Sequence, residues 1–449
     1  VPEIPTDADA DADADVDAAS GAEGDADVVP GSGSGPGPVA APSGRTGRRR
    51  TVVVWAMSGV LVVGAAVGAG VLATAGGSGG GGGPARASES DGLRHTVVEV
   101  TPAGCGRGWT RPAPGRQVFD LDNTSSAAAE VYLTDPRTGA VYGEVEGLAP
   151  GTVRPMRVTL GSGSYAFKCL PDDADAVTGP TVRITGGGTV RSGPAAVPVT
   201  QQDLIPPTLG YQRWIQDRTV ELAAKTDALR DAIGRGDLPA ARAAWLPAHL
   251  VYERMGAAYG AFGDADGEIN GTTAGLPGGV HDADFAGFHR VEYGLWHGES
   301  ARGLRGPADR LAKAVHILRD DWPDQRIDPG DIGLRAHEIV ENTVQFELTG
   351  RTDYGSGTNL ATARANLDGS RELLTRLRPL LKGRDFGLGG LDAAMDRARH
   401  TLDAFRHDGH WTPLDRLTRT QREKADADLG DLAERLADVA ALMDVRRTA

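Results

Sequence analysis

Two periodicities divide the chain. Between residues 94 and 186, apolar and polar residues alternate in short runs: HTVVEVT (95–101), QVFDLDN (117–123), AEVYLTD (129–135), VRPMRVTL (153–160), SYAFKCL (164–170) and TVRIT (181–185). Successive side chains of a strand point to opposite faces. A period of two, rich in β-branched residues and broken by Gly, Pro or Asn-Thr, therefore predicts half-buried strands, here enough for a β-sandwich. From Thr208 onward helical spacing takes over. Ile215, Leu222, Leu229 and Ile233 recur on one face, and Gly234 and Gly236 end the segment. Asp237 is placed to cap the next helix, which carries Trp245, Tyr252, Met255 and Tyr259 and which Pro247 is expected to kink or split. Further helices are predicted over 283–297, 308–321, 331–349, 357–382, 390–406 and 413–445, the last opening on Thr412-Pro413. With a linker over 187–203, residues 204–449 read as an all-α helical bundle of about seven or eight antiparallel helices.

The first ninety residues follow neither pattern. Residues 52–75 contain no charge. As a helix they would run about 36 Å, enough to cross a hydrocarbon core of about 30 Å. A cleaved signal peptide has a shorter apolar region and does not follow a leader of this length. The expectation is therefore a single N-terminal transmembrane helix. Arg45, Arg48, Arg49 and Arg50 precede it, and the positive-inside rule leaves residues 1–50 in the cytoplasm as a disordered acidic tail with a basic stop. Residues 76–93 follow as a flexible linker, and the two later domains are expected outside the cell membrane, on a single-pass protein. Gly64 and Gly68 form a GxxxG pair, read as small-residue packing ahead of a helix-dimer contact.

Charge narrows the function. Of the formal −14, ten carboxylates in residues 1–44 contribute −10 and the four arginines +4, so the remaining body carries −8. That excludes the basic footprint of a nucleic-acid-binding protein. Nine of the ten histidines, His249 to His410, lie in the helical region. On a helix His289 and Glu292 leave from one face, and an imidazole beside a carboxylate suits a borderline or hard cation such as iron or zinc. Two ligands are too few; carboxylates on facing helices are the expected partners, with Glu253, Asp264 and Asp266 the nearest upstream candidates, and an ordinary surface His–Glu pair is the alternative. A second run, His337-Glu338-Ile339-Val340-Glu341, misses the zincin HExxH because Glu341 stands where the second His belongs, which weakens a metallopeptidase reading. No nucleophile elbow, P-loop, or dinucleotide fingerprint following a strand is present. The two cysteines, Cys105 and Cys169, both fall in the sandwich. A disulfide is favoured, with a metal role for Cys169 left open; a blue-copper site would need two His, and only His95 is available.

The stretches GFHRVEYGLWH (287–297), AWLPAHLVYERMGAAYGAFGDADGEINGT (244–272), AHEIVENTVQFELTG (336–350) and RANLDG (364–369) resemble the imelysin-like family and its HxxE signature. EVEGLAPGT (144–152) and SYAFKC (164–169) resemble the cupredoxin-like domain that precedes imelysin in EfeO-type iron-uptake components. The resemblance spans roughly residues 94–445. It implies two fused four-helix bundles behind a cupredoxin-like β-sandwich. It also implies a membrane-tethered, extracytoplasmic iron-binding protein (Fe2+ or Fe3+) that delivers iron to a membrane permease alongside a haem peroxidase partner. His289 and Glu292 match the family's metal motif. In the small domain the resemblance implies copper or ferric iron held by carboxylates and a Cys, matched best by Glu144, Glu146 and Cys169 and less closely by Glu130. The role so implied is binding, not catalysis. An imelysin-type metallopeptidase with Glu338 as base, and a surface module for metal complexes or acidic polysaccharides, are the alternatives.

Overall fold

A computed structural model describes residues 91–384 and 386–447. The alternating runs form nine strands: β1 (Arg94–Thr101), β2 (Gly104–Arg107), β3 (Gly115–Asn123), β4 (Ala129–Thr134), β5 (Val141–Leu148), β6 (Val153–Leu160), β7 (Gly163–Pro171), β8 (Val177–Thr178) and β9 (Val182–Ile184). One sheet has the order β2-β1-β3-β6, with β1 and β3 parallel; the other has β5-β4-β7-β8, with β9 also on β7. Alternation sends Val98, Val100, Phe119 and Leu121 of the first sheet against Val131, Leu133, Tyr165 and Phe167 of the second, in one shared core. Trp109 lies edge-on to Phe119 and Phe167, at ring-centroid distances of 4.8 and 5.7 Å. Cys105 of β2 and Cys169 of β7 join the two sheets in a disulfide across a sequence separation of 64. Closing a loop of that length contributes about 4 kcal/mol.

The helical region comprises α1 (Gln201–Arg235), α2 (Leu238–Glu253), α3 (Tyr259–Phe262), α4 (Asp264–Asn270), α5 (Gly287–Trp296), α6 (Ala301–Asp321), α7 (Ile332–Asn342), α8 (Asn359–Gly383), α9 (Leu388–Asp403) and α10 (Arg419–Met443). A π-helical turn, Thr343–Glu347, extends α7, and a small hairpin of β10 (Arg406–His407) and β11 (His410–Trp411) lies between α9 and α10. α1 packs along α2 and α6, and α10 along α7 and α9. Leu204, Tyr211, Ile215, Leu222, Leu229 and Ile233 of α1 join Trp245, Phe288 and Trp322 in a single core.

Several boundaries differ from expectation for local reasons. α1 begins at Gln201, where Thr200 and Asp203 form a reciprocal capping box, and it runs on through Pro206 and Pro207. Asp237 accepts from Ala240 N at 3.0 Å as expected, but α2 continues unsplit through Pro247, giving up one helical hydrogen bond. The last helix starts at Arg419, because the capping box belongs to Thr418 and Gln421 and not to Thr412-Pro413.

The expected single N-terminal transmembrane helix, and with it the single-pass cell-membrane localisation, requires correction. No helix among the described residues is long and apolar enough to cross a membrane, and residues 1–90, including the span 52–75, lie outside the described residues. The long described helices are amphipathic. α1 alone carries Asp203, Arg213, Asp217, Arg218, Glu221 and Lys225, and each such charge at the bilayer centre would cost about 2.5–3.5 kcal/mol or more.

Candidate metal centre

The centre is built from α2, α5, the π turn after α7, and the loop leading to α8. On α2, His249 and Glu253 are one turn apart, with Nε2 and Oε1 at 3.0 Å. Asn270, at the end of α4, accepts from the same Nε2 (3.1 Å) and donates to the same Oε1 (2.9 Å). On α5, His289 Nδ1 and Glu292 Oε2 are 3.3 Å apart. α5 is pressed close to α4: Gly287 has φ +80, and a Cβ there would stand 2.3 Å from Ile269 O. Only glycine brings the first turn of α5, and therefore His289, this near. The rings of His249 and His289 are 5.3 Å apart, and Trp245 covers His249 at 4.8 Å.

The opposite wall is Glu347, in the π turn. Thr352 Oγ1 donates to its Oε1 (2.6 Å) and Asn359 Nδ2 to its Oε2 (2.9 Å). Glu292 Oε1 accepts the backbone N–H groups of Tyr354 (3.2 Å) and Ser356 (3.0 Å), fixing the loop to α5. His249, Glu253, His289, Glu292 and Glu347 are all at most 8% exposed. His249, Glu292 and Glu347, with Asp353, Ser356 and Asn359 among others, line a void of about 10 Å³, roughly the room of a single water molecule; Glu253 and His289 stand behind His249 and Glu292 and do not line it. Two atoms on its lining residues, His249 Nδ1 and Asn359 Oδ1, are buried with no hydrogen-bond partner.

The electrostatics favour positive charge. Burial alone would lower the His249 imidazole, but hydrogen-bonded Glu253, with Glu292 and Glu347 beyond it, outweighs burial and raises its pKa. Burial would raise Glu253 and Glu292, yet His249 and His289 respectively hold both below the ordinary carboxylate range. Glu347 is pushed up to about 7 by burial and then by the charge of Glu253, against the pull of Thr352 and Asn359. A field that favours imidazolium favours a metal cation for the same reason. Among the described residues no three His, Cys, Asp or Glu side chains form a ready-made metal site: each imidazole is turned toward the carboxylate on its own helix, and ligation requires these side chains to rotate inward.

The other sequence candidates are placed as follows. Asp266 accepts from the Tyr252 hydroxyl beside the cluster, whereas Asp264, two residues earlier on α4, is exposed. Glu338 is ion-paired with Arg335 at 2.6 Å, and His337 Nδ1 lies 3.0 Å from Ala433 O; neither reaches the void. In the sandwich, Cys169 pairs in register with Val131 and faces the core, its sulfur spent in the disulfide. Glu130, Glu144 and Glu146 alternate out of phase with Val131 and Val145 and lie on the sheet's outer face. The structure therefore does not bring Cys169 together with these carboxylates. Glu144 instead binds Arg446, and Arg447 reaches Glu130 (3.6 Å) and Asp172 (3.1 Å). His249, Glu347 and Asn359 were not singled out by sequence. His249 and Glu253 have the i, i+4 helical spacing, and Glu347 continues the buried stripe Ala336, Val340 and Thr343.

A β-sandwich thus precedes a helical domain that buries two imidazoles and three carboxylates. The family model for imelysin, designated Peptidase_M75, matches residues 208–443. The chain belongs to the imelysin family and is an EfeO-type, imelysin-like protein. It is 28% identical over 330 residues to the iron uptake system component EfeO of Escherichia coli O157:H7, covering 72% of this chain and 85% of that protein. The corresponding figure is 27% over the same length for the EfeO proteins of Escherichia coli K12 and Shigella flexneri. A solved structure from Parabacteroides distasonis, titled an iron-regulated protein A precursor, aligns with TM-score 0.38 and 13% identity, over 54% of this chain and 95% of that one.

Proposed function

We propose that this chain serves an iron-uptake system as its iron-binding component, taking iron as cargo among His249, Glu253, His289, Glu292 and Glu347. One observation carries the reading: a void of about 10 Å³ in the helical domain, lined by carboxylates and by two residues whose buried polar atoms lack partners. Buried polar atoms are nearly always satisfied; with Nε2 donating to Glu253 and Asn270, neutral His249 leaves a lone pair at Nδ1, and this and the Asn359 oxygen call for a ligand that accepts lone pairs, a cation displacing the second imidazole proton. Mixed imidazole and carboxylate donors suit iron; zinc is the competitor for the same set. The relatives' description as iron uptake system components supports iron. Delivery to a membrane permease alongside a haem peroxidase is the finer part of the proposal, resting on the resemblance alone.

The peptidase alternative is disfavoured by the surroundings of Glu338, which is ion-paired with Arg335 and does not line the void. The test is titration of the full chain with ferrous iron under argon, followed by metal analysis, for wild type and His289→Ala/Glu292→Ala. Loss of one bound iron in the double variant is expected; unchanged stoichiometry would remove the site assignment. Casein hydrolysis that is abolished by chelator would instead favour the peptidase.

A further inference from the structure

The buried void is not isolated. An open cavity of about 440 Å³ lies on the outer side of the loop between the π turn and α8, lined by Asp353, Ser356, Asn359 and Asp415 among others. Asp353, Ser356 and Asn359 line both this vestibule and the inner void. One short loop therefore forms the partition between solvent and the buried cluster. It is shaped for close turning: Gly350, Gly355 and Gly357 all have φ between +66 and +125. It is held shut from inside, by Glu292 on the N–H groups of Tyr354 and Ser356, and from within, by Asp353 Oδ1 on the N–H groups of Gly355 (2.8 Å) and Gly357 (3.1 Å).

We infer that the Asp353–Asn359 loop is the access gate for the cation, with Asp353 the carboxylate that receives it from the vestibule and passes it inward. The inference rests on the proposed iron site and adds the route to it. Three features converge on that loop. Asp353 sits beside Glu292, so two carboxylates meet at the partition. The unpartnered Asn359 Oδ1 belongs to a side chain about nineteen-twentieths buried and lining both cavities, an oxygen donor at the next step of the path. Glu292 is the tether of the loop as well as a candidate ligand. Rotating Glu292 toward a cation gives up the two amides, so loading and release of the loop are the same event. Asp415 on the vestibule rim is balanced by Arg416 and Arg422, which makes the route a local hand-over and not a long-range acidic funnel.

The experiment is stopped-flow binding of ferrous iron under argon to the full chain, read by quenching of tryptophan fluorescence; Trp245, its ring 4.8 Å from that of His249, is a reporter next to the site. Wild type, Asp353→Asn, Asp353→Glu and His289→Ala/Glu292→Ala are compared, with stoichiometry measured by metal analysis. Asp353→Asn keeps an acceptor for the Gly355 and Gly357 amides, and a matching thermal melt confirms the fold. The expected result is association and dissociation both slowed by about tenfold or more, with stoichiometry unchanged, affinity altered less than about threefold, and the rate restored by Asp353→Glu. That pattern is the signature of a gate, because a group on the path changes both rates together while a fixed ligand changes mainly dissociation. A balanced vestibule also predicts only weak dependence of the rate on ionic strength. Unchanged rates in Asp353→Asn, or loss of affinity through faster dissociation alone, would overturn the gate while leaving the site intact. Absence of iron binding in wild type would overturn the site and the gate together.

Discussion

Glu347→Gln separates a metal centre from an ordinary buried hydrogen-bond network, because the two predict opposite signs. In the metal-free fold the Glu347 carboxyl is pushed from 4.5 to about 7, by burial first and the Glu253 charge second. The folded state thus holds this proton more tightly than the unfolded chain. The cost of ionisation is absent below the unfolded value, grows as pH rises through the interval up to about 7, and is fully present above it. At about 1.36 kcal/mol per pH unit, the displacement corresponds to about 3 kcal/mol. Glutamine keeps the shape and the acceptor for Thr352 without the charge, and its amide can pair with the unpartnered Asn359 Oδ1 once the Asn359 amide turns. Differential scanning calorimetry in chelator should therefore show Glu347→Gln more stable than wild type at pH 8.5 by about 1–3 kcal/mol, a rise of several degrees in Tm, and equal to it at pH 5. The same variant should bind iron more weakly. Destabilisation of similar size at both pH values would refute the reasoning, since it would make Glu347 a structural acceptor and not a charge kept in reserve for a cation.

Other outcomes follow from the same geometry. Iron binding below pH 7 must displace the Glu347 proton, so affinity should rise about tenfold per pH unit between pH 5.5 and 6.5 and flatten above pH 8; calorimetry in buffers of different ionisation enthalpy would count the proton released. His249→Ala should weaken iron binding by at least about tenfold, whereas Asp264→Asn, exposed on α4, should leave it within about threefold; competition against a calibrated chelator measures both. Cys105→Ser/Cys169→Ser should cost the sandwich about 4 kcal/mol without altering iron stoichiometry in the helices, as read by calorimetry and metal analysis. Glu144→Gln, which releases a partly exposed partner of Arg446, should cost no more than about 1 kcal/mol, measured by denaturant titration.

What the sequence disclosed depended on how far apart the interacting residues were. His289 and Glu292 share one turn of one helix, so backbone geometry alone sets their separation. The Cys105–Cys169 pairing needed only the count of thiols and the domain that holds them. Asp264 and Asp266 show the limit of proximity in sequence: two positions on a helix differ by about 200°, so only Asp266 turns toward Tyr252. Glu130, Glu144, Glu146 and Cys169 fail as a group for the strand analogue of that reason, because the register places Cys169 with Val131 on the core face. That register comes from tertiary pairing and no single strand reveals it. Glu347 was legible only as a charge on a buried stripe, because the π turn that carries it shifts the helical phase and hides which way it faces. Asp353 and Asn359 were not available, since their convergence depends on a loop whose path is set by left-handed glycines and by the amides that Glu292 holds.

The attachment of the sandwich to the helices has a mechanical meaning. Val141 of β5 bridges Ala196, Val199 bridges Val445, and Arg446 grips Glu144, so the stretch before α1 and the stretch after α10 both dock at β5. A body held by one cord can swivel; held by two at the same edge, it can only hinge. Movement of the sandwich against the helices is thereby confined to rocking about that edge, unless Arg446 and Arg447 let go of their carboxylates.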